Sequence, residues 1–377
     1  MDLNDLYTVC KENSISGRYF PPDYLEPILE KYRRVFTIQI EGQSEELRNI
    51  YSIRIGTGSY KVLLWSQMHG NETTTTKALI DFLQFLNITS ERQQHYLKKY
   101  TFLILPILNP DGALRYTRFN ANQVDLNRDA FLKSQREMQV LHAVFQDFQP
   151  DLCLNMHDQR SIFSAGDTAN PAALSFLSPA ADPEKSLTPS RIRAMQLIVG
   201  MYDQMPKSLN KNIGRYDDTF NQNCIGDTFQ SMGVPSILIE AGHMGGDYQR
   251  ENTREYVFWS LIYLFDIAAE FPSQVDYRAY FSLPENRKNL CDVLIINARI
   301  PQYKDQVSIA LQANEQLISG QVIFQPTVVE IAEKISLFGH KIVDAKGSWI
   351  LSPEFETVKI GLELNKICIL GKKYVIF

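Results

Sequence analysis

His69 and Glu72 stand three residues apart in WSQMHGNETTTTKALIDF, residues 65–82. A catalytic zinc ion takes three ligands from His, Asp and Glu and keeps a further position for water. A three-residue offset returns to the same side of a helical turn, so both side chains can face one ion. The HxxE spacing also arises by chance, and a polar turn leading into an ordinary helix is the plainer reading. A third ligand must arrive from another element. His157, closing DLCLNMH, is placed for that, although a lone histidine is more often a satisfied core or loop residue.

The segment NPDGALRYTRFNANQVDLNRD, residues 109–129, gathers Arg115, Arg118, Asn122, Asn127 and Arg128. Guanidinium groups pair with carboxylates or polarise carbonyl oxygens, and amides add directional hydrogen bonds. NPDG by itself is well explained as a set of turn formers. Glu240 ends the apolar run SILIEA. A glutamate buried there is costly unless paired, hydrogen-bonded or protonated, and a carboxylate beside a metal-activated water is what a general base requires.

The elements that must position these residues show a clear rhythm. KVLLW (61–65), TFLILPIL (101–108), DLCLNM (151–156) and SILIEA (236–241) read as strands buried on both faces, each ending in a polar cluster: SQMHGNE, NPDG, HDQR and EAGH. Helical patterns such as TTTKALIDFLQFL (74–86) and KSQREMQVLHAVFQDF (133–148) lie between them. This alternation predicts an α/β fold with a mixed, largely parallel central sheet covered by helices on both faces. Ligands collect beyond the carboxyl ends of such strands, where the four polar clusters would converge.

Beyond residue 272 the pattern changes to period-two alternation, as in Val307, Ile309 and Leu311, or Val358, Ile360, Leu362 and Leu364. The expected organisation is a catalytic domain over 1–272, a linker over 273–290 and a small β-rich domain over 291–377, with the stretch around His340 either loop or strand. With 21 % charged and 44 % hydrophobic residues and a formal net charge of −5, the chain reads as globular, with no basic run to bind nucleic acid or an anionic membrane. The N-terminus carries acidic residues where a secretory signal would be basic, and EYVFWSLIYLFDIAAEF (255–271) contains Asp266 and Glu270, so it is expected to be a core helix. The five cysteines are scattered and never form CxxC, which fits a reduced, cytoplasmic protein without a cysteine metal site; Cys153 and Cys368 read as small buried hydrophobes.

Taken in order, HGNE, NPDG, the run from Arg118 to DLNRD, His157 and Glu240 resemble the zinc carboxypeptidases of the M14 type, over about residues 55–272. The resemblance implies a zinc carboxypeptidase-like fold and one Zn2+ ion held by His69, Glu72 and His157. It implies Asn127 and Arg128 as the clamp for a substrate's free carboxylate, Arg118 as the oxyanion-stabilising arginine with Arg115 as its competitor, and Glu240 as the catalytic base. The implied function is hydrolysis that removes a C-terminal residue from a peptide or isopeptide-like substrate. EAGH and the short arginine segment also resemble the succinylglutamate desuccinylase and aspartoacylase group, which implies an amidohydrolase acting on N-acyl amino acids. A binding protein with a vestigial site, its β-rich part doing the work, is the alternative from another class. Tyr216 is the candidate for the tyrosine that closes over substrate in digestive members, but its spacing to Glu240 does not match. Arg160, Arg191, Arg193 and Arg215 fall where pocket loops are expected; lining arginines would suit an acidic substrate, although surface arginines are commoner.

Overall fold

The computed structural model describes residues 3–270, 275–351, 357–364, 366–369 and 372–375. The strands are β1 (Thr37–Gln43), β2 (Asn49–Ile55), β3 (Tyr60–Ser66), β4 (Tyr100–Leu105), β5 (Leu152–Asp158), β6 (Phe163–Ala165), β7 (Leu174–Leu177), β8 (Ile213–Arg215), β9 (Ser236–Ala241), β10 (Asn286–Lys288), β11 (Leu290–Ala298), β12 (Val307–Ile318), β13 (Gln321–Ala332), β14 (Phe338–Asp344), β15 (Lys366–Ile369) and β16 (Lys372–Val375). The helices are α1 (Leu3–Cys10), α2 (Pro22–Tyr32), α3 (Thr74–Asn87), α4 (Glu91–Lys99), α5 (Pro110–Arg115), α6 (Arg136–Phe148), α7 (Pro189–Gln204), α8 (Ile225–Ser231) and α9 (Glu251–Ile267), with short 3₁₀ turns between.

An eight-stranded sheet in the order β1-β2-β4-β3-β5-β9-β7-β8 forms the centre. Its four middle strands, β4, β3, β5 and β9, run parallel, while antiparallel pairings at β1/β2, β2/β4 and β7/β9 make it mixed. The near-continuous apolarity of the middle strands has a direct cause, because each face carries its own core. Val62, Leu64, Phe102, Ile104, Leu154 and Met156 point to one side, against α1, α2, α3, α7 and α9. Leu63, Trp65, Leu103, Leu105 and Cys153 point to the other, against α6 and α8, where Phe229 stacks on Phe145 at 3.8 Å and meets Trp65 edge-on at 5.7 Å. Successive strand residues alternate faces, so a strand covered on both must be apolar throughout.

Segment 255–271, expected as a core helix, forms most of α9, and no helix among the described residues is long and apolar enough to cross a membrane. The segment expected as a linker is packed against the main body: Tyr280 is buried in the larger core, and β10 pairs with β6.

Beyond it, β13-β12-β11-β14 form a separate four-stranded sheet with a core that includes Val293, Ile295, Ile309, Leu311 and Val328. The stretch around His340 is strand β14, parallel to β11. The alternation of Val358, Ile360, Leu362 and Leu364 is not a strand. Gly361 turns the chain at φ +86°, and Gly361 N and Leu364 N bond to Val328 O and Pro326 O. Val358 and Leu364 are consequently buried while Ile360 is exposed. Among the cysteines, Cys153 is fully buried and free, whereas the side chain of Cys368 lies outside the described residues.

Candidate metal centre and active site

His69 and Glu72 follow the carboxyl end of β3 in a turn, in which Glu72 N donates to His69 O at 3.0 Å. They therefore meet across a turn and not along a helix, as the spacing argument had supposed. Gly70 is required by close approach: a Cβ there would lie 1.9 Å from the backbone carbon of Gly112 in α5. NPDG is the other half of this contact. Asn109 caps α5 by accepting from Gly112 N at 2.8 Å, and its Nδ2 donates to Met68 O at 3.1 Å. The motif is thus a structural brace for the HGNE turn, in line with its turn-forming composition.

His157 lies near the carboxyl end of the adjacent parallel strand β5, and Glu240 is its partner in register on β9. His157 Nδ1 is 3.2 Å from His69 Nδ1 and 2.8 Å from Glu72 Oε2, while His69 Nδ1 is 2.8 Å from Glu72 Oε1. Four-coordinate zinc with bonds of about 2.0–2.1 Å needs ligand atoms roughly 3.3 Å apart. The donor set, two imidazoles and a carboxylate with all candidate ligand atoms within 4.8 Å of one another, fits such an ion. His157 Nε2 and Glu240 Oε2 are buried without a hydrogen-bond partner, as are Asn71 Oδ1 and Asn155 Oδ1 of the same cavity.

Electrostatics agree with a crowded ionic centre. Burial opposes charge on both histidines; at His69 the carboxylates of Glu72 and Asp125 outweigh it and raise the imidazole, whereas at His157 burial wins and lowers it. Burial works against ionised Glu72, yet the two imidazoles hold it well below the usual carboxylate range. Glu240 goes the other way: burial, then repulsion from Glu72 and Asp158, pushes it well above that range.

Two acidic residues with no role in the sequence reading organise the site. Asp125 Oδ1 sits 2.9 Å from His69 Nε2 and accepts from Asn127 N at 2.9 Å; its Oδ2 pairs with Arg118 Nη2 at 2.9 Å and accepts from Arg118 Nε at 3.0 Å. A carboxylate on the far nitrogen of a ligating histidine fixes its tautomer and ring orientation. Asp158 accepts from Thr74 N and Thr75 N at 3.0 and 3.3 Å, capping α3 and tying the strand position after His157 to the helix after Glu72. Asp158 is next to His157 and Asp125 two residues before Asn127, the one signal that could have marked them.

Arg118 also reaches Glu72 Oε1 at 3.3 Å, whereas its competitor Arg115 pairs with Glu46 outside the cavity lining. Asn127 Oδ1 accepts from Ile225 N at 3.0 Å; Arg128 is exposed and donates to Asn127 O at 2.7 Å and toward Cys224 Sγ at 3.0 Å. Asn122 bonds Gln135 and does not line the cavity. A cavity of about 1250 Å³ brings together His69, Glu72, His157, Arg118, Asn127, Arg128 and Glu240. Tyr216 lines it too, its ring 5.5 Å from that of Phe163. Arg191, Arg193 and Arg215 are buried and bound to Asp218, Ala268 O and Glu285, which leaves Arg160 as the cavity arginine of that region.

The mixed sheet with helices on both faces has the fold of known metallocarboxypeptidases. The sequence pattern of the zinc carboxypeptidases, Peptidase M14, matches residues 22–147. A probable carboxypeptidase 2 of Arthroderma benhamiae is 30 % identical over 115 residues, 30 % of this chain and 21 % of that protein. The crystal structure of a metallo-carboxypeptidase from Burkholderia cenocepacia superposes with a TM-score of 0.55 at 16 % identity, covering 67 % of this chain and 70 % of that one. For carboxypeptidase A from Helicoverpa armigera the TM-score is 0.53 at 18 % identity, with coverage of 72 % and 80 %. Over residues 22–147 the chain thus carries the M14 zinc carboxypeptidase pattern, within a fold shared with known metallocarboxypeptidases. Its match spans about a fifth of the length of the fungal relatives.

Proposed function

We propose that this chain is a zinc-dependent hydrolase that releases a C-terminal residue bearing a free carboxylate from a peptide or isopeptide-like substrate. The observation that carries this reading is the approach of His69 Nδ1, His157 Nδ1 and the Glu72 carboxylate to within 2.8–3.2 Å of one another, with Glu240 in register with His157. A zinc ion held by His69, Glu72 and His157 would supply Lewis acidity for attack by water on the carbonyl carbon. Glu240 takes a proton from the attacking water and returns it to the leaving nitrogen as the C–N bond breaks. Arg118 donates to the developing oxyanion, its guanidinium aligned by Asp125. Asn127 and Arg128 hold the substrate's terminal carboxylate and so fix which bond lies beside Glu240. The proposed division is a catalytic body over 1–272 and a β-rich part over 291–377.

The test screens the zinc-loaded protein and its Glu240→Gln variant against peptides with varied C-termini and against N-acyl amino acids. Release of C-terminal amino acids by wild type, with a loss of at least 10²-fold in Glu240→Gln, is expected. Activity confined to N-acyl amino acids would replace the peptidase reading with the amidohydrolase one, and full activity in Glu240→Gln would remove Glu240 as the base.

A further inference from the structure

The catalytic cavity has a second wall, made from residues 160–163, Lys288 and the stretch Gln312–Glu315 of β12. This stretch of the C-terminal sheet is fastened to the body by side-chain hydrogen bonds and an ion pair. Asp292, fully buried, accepts from Tyr248 Oη at 3.0 Å and from Ala313 N at 2.7 Å, and it also binds Gln312. Gln312 Nε2 donates to Ser161 Oγ at 2.7 Å, and His340 Nε2 lies 2.7 Å from Ser161 O. Arg18, buried, pairs with Glu315 at 2.9 Å. The sheet is therefore part of the enclosure around the proposed site.

The charges facing this enclosure are unequally satisfied. Glu315 is neutralised by Arg18 and also accepts from Tyr116 Oη. Asp158 is committed to the amides of α3, and Asp217 to Thr219 N and Oγ1 at 3.0 and 2.8 Å. Arg160 and Lys288 are exposed, line the cavity and make no ion pair among the described residues; Lys288 lies over the Phe163 ring at 6.0 Å. They come from other elements than the proposed carboxylate clamp, Lys288 from β10 and Arg160 from the segment after β5, whereas Arg128 bonds Asn127 and Cys224. A substrate whose terminal carboxylate is held at Arg128 would share the cavity with both cations.

Resting on the hydrolase reading above, we propose that Arg160 and Lys288, on the wall completed by β12, form an anion-accepting subsite for the acyl side of the substrate. The preferred substrates then carry a second carboxylate there, from an acidic residue or a dicarboxylic acyl group. The sheet serves as a specificity element, since it helps to close the space in which that carboxylate is held and strengthens the field of two cations that have no carboxylate partner among the described residues.

The test uses matched probes differing by one charge: acetyl-Glu-X against acetyl-Gln-X, and succinyl-X against succinamoyl-X, where X is the residue that the C-terminal screen shows to be released, or alanine if none is. The ratio of kcat/KM for the acidic over the neutral probe is expected to exceed about fivefold in wild type. It should fall toward one in Arg160→Gln, in Lys288→Gln and at high ionic strength. The first pair reports an acidic residue and the second a dicarboxylic acyl group. A wild-type ratio near one for both pairs overturns the subsite, as does a high ratio that neither substitution changes. If nothing is turned over, the hydrolase reading fails separately, and calorimetric binding of the same probe pairs to the zinc-loaded protein decides the subsite by the same ratio.

Discussion

Asp125→Asn is the most informative single perturbation of the candidate metal centre, because this carboxylate touches three proposed site residues at once. It meets His69 Nε2 at 2.9 Å, Arg118 Nη2 at 2.9 Å and Asn127 N at 2.9 Å. The substitution keeps the shape, removes the charge and turns one acceptor into a donor. That donor must face either the Arg118 guanidinium, donor against donor, or the ring nitrogen of His69. Loss of a carboxylate partner on a metal-ligating histidine lowers metal affinity roughly 10- to 100-fold. On the usual scale of about 1.4 kcal/mol per factor of ten, this corresponds to roughly 1.4–2.8 kcal/mol, similar to one charge-assisted hydrogen bond. The assay is a zinc titration against a chromophoric chelator, with circular dichroism to establish that the variant is folded. A folded Asp125→Asn protein whose zinc affinity stays within twofold of wild type would refute the claim that this carboxylate orients His69 as a ligand.

Three further outcomes follow from packing and charge. Gly70→Ala places a Cβ 1.9 Å from the Gly112 backbone, so at least about 1–3 kcal/mol of stability should be lost along with zinc binding; an unchanged Tm would show that the HGNE turn and α5 do not pack this tightly. Asp81 and Arg254 form a fully buried pair at 2.6 Å, so Asp81→Asn, which leaves the buried guanidinium with Glu251 at 3.2 Å as its remaining carboxylate, should cost up to about 3–5 kcal/mol in denaturant unfolding, and a cost under about 1 kcal/mol would contradict that burial. Glu251 is opposed by burial, but Lys77, Arg254 and Lys11 lower it to about 2 from an ordinary 4.5. Its folded value is depressed, so its contribution of about 3 kcal/mol is present above pH 4.5 and is lost as the pH falls toward 2. The stability difference between wild type and Glu251→Gln should shrink over that interval, and a difference independent of pH would refute the assignment.

The strand-helix rhythm was legible in the sequence because burial on both faces leaves an apolar run that needs no partner to be recognised. Val62 to Trp65 and Leu152 to Met156 are of this kind. His69, Glu72, His157 and Glu240 were legible for a related reason, since a polar residue at the end of such a run needs an explanation. Asp125 and Asp158 were not, because a carboxylate in a polar segment looks solvated until its partners are known. The Val358–Leu364 alternation misled, since a turn at Gly361 buries two of those side chains as well as a strand would.

Local sequence, then, determined which residues are chemically capable and which strand ends carry them, because composition and period are properties of neighbours in the chain. Tertiary structure decided which of those groups meet. It set the spacing of 2.8–3.2 Å among His69, Glu72 and His157, sent Arg118 inward and Arg115 to Glu46, and closed the cavity with Gln312–Glu315 of a distant sheet. Contacts between residues tens to hundreds of positions apart depend on strand order and register. These are fixed only when both faces of the sheet are packed at once.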